Sequence, residues 1–294
     1  MKYVVTGNCG FIGSTLTKRL LKEGHEVIGI DDLSTGTILN LPKEFHVGAI
    51  ISRISDIRKI GDIDGIFHLG IPCSSPLYKE NRFLVGKAIS EFTEIMEYAK
   101  NNKLKVAFAS TSSIYNKNIS PYHEDMIIYP ADFYAEARYA MERLAKVYYD
   151  FYDVKSIGLR LFSVYGENEH SKGIYANLVS QIIWAKQKER SIDIYNNGKG
   201  ARDFIHISDV VEAFIMAMDS NIDFDILNIG TGKAYEINDI IKTVGLKNYR
   251  YTDPPGITKN FKFPDTLADI SKTRKLLGFE AKIDVLDYLK GDKK

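Results

Sequence analysis

The sequence is poor in cysteine and lacks any long apolar run. Only two cysteines, Cys9 and Cys73, occur among 294 residues. A disulfide framework is therefore not expected, and a reducing cytoplasm is the predicted location. No stretch reaches the roughly 18 apolar residues of a membrane-spanning helix, and the N-terminal run resembles no secretory signal. We therefore expect no membrane partner.

Charge of one sign is not in excess either. The chain has 39 Lys and Arg against 38 Asp and Glu, which gives a net charge of +1. A dedicated nucleic-acid binder is usually more basic, so nucleic acid is not an expected partner. The six histidines are scattered without ligand spacing, so we predict no metal site.

Short apolar runs alternate with helical patterns in the first half of the chain. We predict strands at 3–5, 27–30, 45–47, 66–69, 106–109 and 157–162, and long helices at 84–101 and 133–152. This alternation is typical of βαβ units, so the expected fold class is α/β, with a Rossmann-type doubly wound parallel sheet.

After Gly166 the pattern becomes mixed. We predict a helix at 174–188, strands at 192–195, 204–207 and 226–229, and a helix capped by Ser208 and Asp209 that ends near Met218. We expect a dinucleotide-binding domain over 1–165 and a smaller mixed α/β substrate domain over 166–294. Part of the later chain, roughly 203–230, could return to the first domain.

A glycine-rich loop follows the first strand. Gly7, Gly10 and Gly13 permit a tight turn and close approach of the backbone to a pyrophosphate, which the N-terminus of the following helix would also attract. The second strand ends in Asp31, about twenty residues further on, as a dinucleotide fingerprint requires. Asp31 would bind the adenosine ribose and repel a 2′-phosphate, which favours NAD. Its neighbour Asp32 could share or exchange this role.

Two further segments carry candidate catalytic groups. The fifth strand runs into a series of hydroxyl residues, Ser110 to Tyr115, at an edge where parallel sheets bind ligands. Tyr134 and Arg138 lie four apart on a predicted helix and share one face. A cation beside a phenol stabilises the phenolate, which could act as a general base toward a sugar hydroxyl.

These motifs, together with Arg202-Asp203-Phe204 and Leu267-Ala268-Asp269, occur in an order that resembles the extended short-chain dehydrogenase/reductase family. Within it, the chain most resembles the NAD-dependent nucleotide-sugar epimerase/dehydratase branch, and in particular archaeal UDP-glucose 4-epimerase-like proteins. The resemblance covers nearly the whole chain. It implies a homodimer built from the two long helices.

The resemblance also implies roles for individual residues. Thr111 would hydrogen-bond the 4-oxygen of the sugar, and Tyr134 would be the acid/base. Arg138 stands where the family normally has a lysine that binds the nicotinamide ribose. The residues implied to bind NAD are Gly7, Gly10, Phe11, Ile12, Gly13, Asp31, Asp32, Leu69, Tyr134 and Arg138.

The second half would bind a UDP-sugar. The residues implied to contact it are Ser112, Ser163, Asn177, Leu178, Ile194, Tyr195, Arg202 and Lys262. Arg202 would bind the diphosphate, with Lys262 as a second cation. Ala49 falls where relatives often have an aspartate near the adenine, by the alignment that the resemblance gives.

Relatives that eliminate water or decarboxylate carry carboxylates directly after the catalytic hydroxyl. Ser112 and Ser113 occupy these positions, so 4-epimerisation of UDP-galactose and UDP-glucose is the favoured reaction. Two alternatives stay open. One is a net NAD-dependent oxidoreductase that acts on a small alcohol or amino acid. The other is a weakly catalytic or non-catalytic binding protein, which the departures at Arg138 and Ala49 suggest.

Overall fold

A seven-stranded parallel sheet forms the centre of the molecule in a computed structural model, which describes residues 1–45, 49–253 and 265–291. The strand order is β11-β6-β5-β4-β1-β2-β3. These strands are β1 Lys2–Thr6, β2 Glu26–Asp31, β3 Ala49–Ile51, β4 Gly65–His68, β5 Lys105–Thr111, β6 Ser156–Leu161 and β11 Phe224–Ile229. Every neighbouring pair is parallel. The predicted Rossmann-type sheet is therefore confirmed.

Helices cover both faces of this sheet. The helices of the described residues, including those of the small domain defined below, are α1 Phe11–Lys22, α2 Ser75–Glu80, α3 Leu84–Asn102, α4 Phe133–Tyr152, α5 Leu178–Gln187, α6 Ile207–Asp219, α7 Ile237–Val244, α8 Ser271–Leu277 and α9 Val285–Lys290. Leu16 of α1 and Phe214 of α6 are buried in one core cluster, whereas Phe92 of α3 and Met141 of α4 are buried in another. The strands are buried between these two layers, which is why their sequences are apolar throughout instead of alternating.

A small domain lies beside the carboxyl ends of the strands. We define it as α5, α7, α9 and three strand pairs. Parallel pairs join β7 Ser163–Tyr165 to β10 Phe204–His206 and β8 Ile192–Tyr195 to β13 Tyr249–Thr252, and an antiparallel pair joins β9 Ala201–Arg202 to β12 Tyr235–Glu236. The chain then returns, because β11 pairs with β6 in the large sheet. Part of the segment 203–230 thus lies outside the small domain.

The boundaries of α4 are those predicted, but other predicted boundaries are wrong. α5 begins at Leu178, not Ile174, because Gly173 adopts φ 53° and Asn177 caps the helix by accepting a hydrogen bond from Val179 N. α6 begins at Ile207, ahead of the predicted cap at Ser208 and Asp209. His206 is the actual cap, and its Nδ1 accepts from Ser208 N.

The third strand also lies later than predicted. Phe45 ends a short 3-10 turn, and β3 occupies Ala49–Ile51, beside β2. The remainder of the predicted strand, 46–47, lies outside the described residues. In the part of the chain that the structure describes, no helix is both long and apolar enough to cross a bilayer, and no group of three or more His, Cys, Asp or Glu side chains could hold a metal.

Candidate active site

The glycine loop forms a cradle that any larger residue would fill. Gly7 has φ 70°, and a Cβ there would lie 2.7 Å from Gly70 Cα. A Cβ on Gly13 would lie 2.0 Å from Gly7 O. Gly10 caps α1, and the first turn of that helix carries no acidic side chain. Free N–H groups and the positive end of the helix dipole therefore face the cavity, as a bound diphosphate requires.

Asp31 lies at the end of β2, beside this loop. It is buried, and its two carboxylate oxygens accept hydrogen bonds from Cys9 N at 2.9 Å and Leu33 N at 2.8 Å. Burial raises its pKa, and these hydrogen bonds oppose that rise. Each oxygen keeps acceptor capacity toward the cavity, which is what binding a ribose diol needs.

Asp32 has a different partner. Its Oδ2 lies 2.8 Å from Lys87 Nζ, and its Oδ1 accepts from Ser34 N. Burial opposes its ionisation, but the bonds from Lys87 and Ser34 outweigh burial and lower its pKa to about 2. The structure therefore pairs Asp32 with Lys87 and leaves Asp31 as the carboxylate beside the glycine loop.

One part of the cavity wall was not predicted from the sequence. Ser52, Arg53 and Ile54, which directly follow β3, line the same cavity as Asp31. They escaped notice because the third strand was placed too early. Ala49 pairs with Gly29 inside β3. The rule that ligands bind at the carboxyl ends of parallel strands would have found these residues once β3 was placed correctly.

The candidate catalytic residues share this cavity, whose volume is about 530 Å³. Thr111 ends β5, and its hydroxyl accepts a hydrogen bond from Ser113 N at 3.2 Å. Tyr134 lies in the first turn of α4, which Asp132 caps by accepting from Ala135 N. Asp132 also accepts from Ser75 Oγ at 2.6 Å, so the helix start is fixed against α2. The cavity thus extends from Asp31 to Tyr134.

Arg138 is buried beneath Tyr134. Its guanidinium carbon lies 5.2 Å from the centre of the tyrosine ring. Its Nη2 donates a hydrogen bond to Pro72 O at 2.9 Å, and its Nη1 donates one to Ala109 O at 3.4 Å. Nε makes no hydrogen bond with the described part of the chain. The positive charge is therefore where the sequence predicted it, but two of the fork nitrogens are bound to the backbone.

The predicted substrate residues that the structure describes line the first cavity, line a second cavity or lie in the core of the small domain. Ser112, Ser163 and Asn177 line the first cavity, as Leu69 does on the cofactor side. Ser163, Asn177, Leu178, Tyr195 and Arg202 line an adjoining cavity of about 500 Å³ in the small domain. Ser163 and Asn177 belong to both walls, so the two cavities adjoin. Arg202 is half-buried, and desolvation lowers its pKa.

One of the described residues in this set does not reach a cavity. Ile194 is fully buried in the core of the small domain and lines neither cavity. Alternation along β8 explains this, because the next residue, Tyr195, points to the opposite face and lines the second cavity. Lys262 lies outside the described residues.

Comparisons with known proteins agree with this geometry. The sequence profile described as "NAD dependent epimerase/dehydratase family" matches residues 3–230. The chain belongs to that family. The predicted family is thereby confirmed, and NAD is its cofactor. The glycine cradle and the acceptor capacity of Asp31 fit this cofactor.

Relatives of this family member span its whole length. A putative UDP-glucose 4-epimerase of Methanocaldococcus jannaschii is 31% identical and covers 98% of this chain and 95% of its own. A UDP-glucuronate 4-epimerase of Thermodesulfobacterium geofontis is 31% identical over 98% of this chain and 94% of its own. The crystal structure of UDP-glucose 4-epimerase from Thermotoga maritima with UDP-glucose has a TM-score of 0.90 at 27% identity, with 99% and 96% covered.

The position of Asp31 predicts cofactor preference. If Asp31 binds the adenosine ribose, Asp31→Asn removes the charge that would repel a 2′-phosphate and weakens a charge-assisted bond to the ribose. We expect NAD affinity to fall about tenfold or more and the preference over NADP to narrow. Calorimetric titration with both dinucleotides measures this ratio. Asp32→Asn is the matched control, because Asp32 is bound to Lys87. Equal effects of the two substitutions would contradict the assignment.

Proposed function

We propose that the protein catalyses the NAD-dependent 4-epimerisation of a UDP-hexose, UDP-galactose to UDP-glucose and the reverse. The observation that carries this proposal is the meeting of Thr111, Tyr134 and the glycine cradle in one cavity. That cavity adjoins a second one in which Arg202 provides a half-buried cation for a diphosphate. The names of the relatives support a UDP-sugar as substrate.

Tyr134 removes the proton from the 4-hydroxyl and later returns it. Thr111 holds the 4-oxygen, and its own oxygen is oriented by the bond from Ser113 N. The guanidinium of Arg138 places a positive charge 5.2 Å from the centre of the ring. Bound NAD supplies the chemistry of hydride acceptance and return at C4. The 4-keto sugar would rotate so that the hydride returns to its opposite face, which inverts C4, and Tyr134 returns the proton to the 4-oxygen.

The residues after Thr111 favour epimerisation over other outcomes. Ser112 and Ser113 form the start of a 3-10 turn, and both line the cavity. Neither can provide the carboxylate that elimination of water or decarboxylation would need. Epimerisation needs no acid or base beyond Tyr134, so the residues present suffice for it.

We assign the remaining substrate contacts to the second cavity. Arg202 would bind the diphosphate, and Tyr195, 41% exposed, offers a ring on which the base can stack. Asn177, Leu178 and Ser163 would contact the nucleotide where the two cavities adjoin.

The decisive experiment measures whether the protein converts UDP-galactose into UDP-glucose. The protein is incubated with UDP-galactose and NAD, and the products are identified by NMR. Appearance of UDP-glucose without accumulation of reduced cofactor supports the proposal. Parallel reactions with UDP-glucuronate and UDP-N-acetylglucosamine test the sugar. Stoichiometric accumulation of reduced cofactor would instead indicate the net oxidoreductase, and binding without any conversion would indicate the non-catalytic alternative.

Arg138 is the residue on which the non-catalytic alternative depends. If the positive charge beside Tyr134 is needed for proton transfer, Arg138→Met lowers kcat by about 10- to 1,000-fold, the usual range for the loss of an adjacent opposite charge. Arg138→Lys keeps the positive charge and introduces the residue that is usual in the family. We therefore expect it to retain most of the activity. Steady-state kinetics of both variants at neutral pH measure the difference. Equal losses in the two variants would mean that activity depends on the hydrogen bonds of the guanidinium to Pro72 and Ala109 and not on its charge.

We further infer a homodimer formed through α3 and α4, in a reducing cytoplasm. The carboxyl-terminal half of α4 exposes apolar side chains, with Val147 46%, Phe151 76% and Tyr152 55% accessible. Such a surface on a helix is suited to a partner helix. Sedimentation equilibrium measures the mass in solution, and a monomer would refute the inference.

A further inference from the structure

Lys172 connects the small domain to the cofactor cradle. It lies in the 3-10 turn His170–Tyr175, between β7 and α5. Its side chain is 15% exposed and lines the first cavity. Nζ lies 5.2 Å from the centre of the Phe11 ring, and Phe11 is the first residue of α1. A cation from a distant part of the sequence therefore reaches the end of the helix that begins at the glycine loop.

A buried carboxylate fixes this lysine. Glu169 is fully buried, and its Oε1 accepts from Lys172 Nζ at 2.6 Å and from Asn177 N at 2.9 Å. Its Oε2 accepts from Ser180 Oγ at 2.6 Å. All these contacts lie on the small-domain side. Glu169 thus orients the ammonium group, which keeps two more N–H donors.

The start of α1 brings no negative charge to the part of the cavity that Lys172 reaches. The N-terminus of α1 carries a partial positive charge, and its first turn contains no acidic side chain. Lys172 brings an ammonium group to the same cavity, where Glu169 pairs with it on the small-domain side and its remaining N–H donors can bind a ligand. The helix N-terminus and these donors together favour an anion between them, and the diphosphate of a dinucleotide is such an anion.

We propose that Lys172 binds the diphosphate of NAD, so that the small domain holds the cofactor as well as the substrate. Glu169 is then a positioning residue, since it orients Lys172 and also holds Asn177, which lines both cavities. The proposal rests on the NAD cofactor of the family and does not depend on the identity of the sugar. A cofactor bound in this way contacts both domains.

The test compares two ligands that differ in the diphosphate. ADP and adenosine are titrated calorimetrically into protein freed of bound nucleotide. We expect Lys172→Met to weaken ADP binding about tenfold or more, to lessen its dependence on salt, and to leave adenosine binding unchanged. Lys172→Arg should retain most of the ADP affinity. Lys188→Met, at an exposed position after α5, is the control for the change in net charge.

Three outcomes would overturn the proposal. Equal losses for ADP and adenosine would show a purely structural role. Unchanged ADP binding would show that Lys172 makes no contact with the diphosphate, and a selective loss of UDP binding would assign the lysine to the substrate. Because Lys172→Met leaves Glu169 buried without its cation, the double variant Glu169→Gln/Lys172→Met is measured as well. It removes both charges and should show the same selective loss of ADP. None of these titrations requires turnover, so a failure of the proposed reaction would not affect them.

Discussion

Tyr134→Phe is expected to lose about 10²- to 10⁴-fold in epimerisation rate while NAD stays bound. The substitution removes only the hydroxyl that exchanges a proton with the substrate. The ring keeps its contacts with Tyr78, at 5.6 Å between centroids, and with the guanidinium of Arg138. The rate is followed by NMR of the sugar, and cofactor binding by calorimetry.

A second tyrosine on the same helix provides the control. Tyr149 lies four turns further along α4, where its ring stacks on Phe224 at 5.5 Å. Tyr149→Phe makes the same chemical change away from the cavity, so its rate should equal that of the unmodified protein. If Tyr134→Phe retained full turnover, another group would be the acid/base. If both variants lost activity equally, the effect would come from the helix and not from the hydroxyl.

Arg160→Met is expected to lower the free energy of unfolding by about 3–5 kcal/mol. Arg160 and Glu142 form an ion pair whose side chains are 5% and 3% exposed, with Nη2 2.7 Å from Oε2 and Nε 3.0 Å from Oε1. Removing the arginine leaves the carboxylate buried, with Ser110 as its remaining donor. The cost of that uncompensated charge is the reason for the large effect. Urea unfolding followed by circular dichroism measures it.

Two variants show whether burial is the cause. Arg250→Met breaks an exposed pair with Asp193, in which the arginine is 72% exposed, and should cost about 1 kcal/mol or less. The double variant Glu142→Leu/Arg160→Met removes both buried charges and should recover part of the lost stability. A loss for Arg160→Met as small as that for Arg250→Met would contradict this interpretation.

This ion pair also bears on the geometry of the site. Glu142 lies two turns beyond Tyr134 on α4, and Arg160 lies in β6, beside β5, which ends in Thr111. Arg160 also donates to the hydroxyl of Tyr115, which donates to Asn228 at 2.9 Å. The network joins α4, β6, β11 and the turn after β5. It thereby fixes the helix that carries Tyr134 against the strand that carries Thr111.

Local sequence patterns were sufficient for the fold and for part of the cavity. The alternation of apolar runs and helical patterns predicted the doubly wound sheet, because buried parallel strands and amphipathic helices have different periods. The glycine spacing predicted the cradle, since the tight approach of Gly7 and Gly13 admits no Cβ. The placement of Asp31, of the hydroxyl series that contains Thr111 and of Tyr134 follows from the same logic, because each lies at or next to the end of an element whose position was predicted. The roles of Thr111 and Tyr134 came from the family resemblance.

Contacts between distant segments were decided only by the tertiary structure. The pairing of Asp32 with Lys87 and of Glu142 with Arg160, and the approach of Lys172 to Phe11, join residues separated by 18 or more positions. No local period encodes them, because they depend on how helices and strands pack. The fork of Arg138 is a similar case. Its charge was readable from the sequence, whereas its bonds to Pro72 and Ala109 arise because packing brings two other segments within reach.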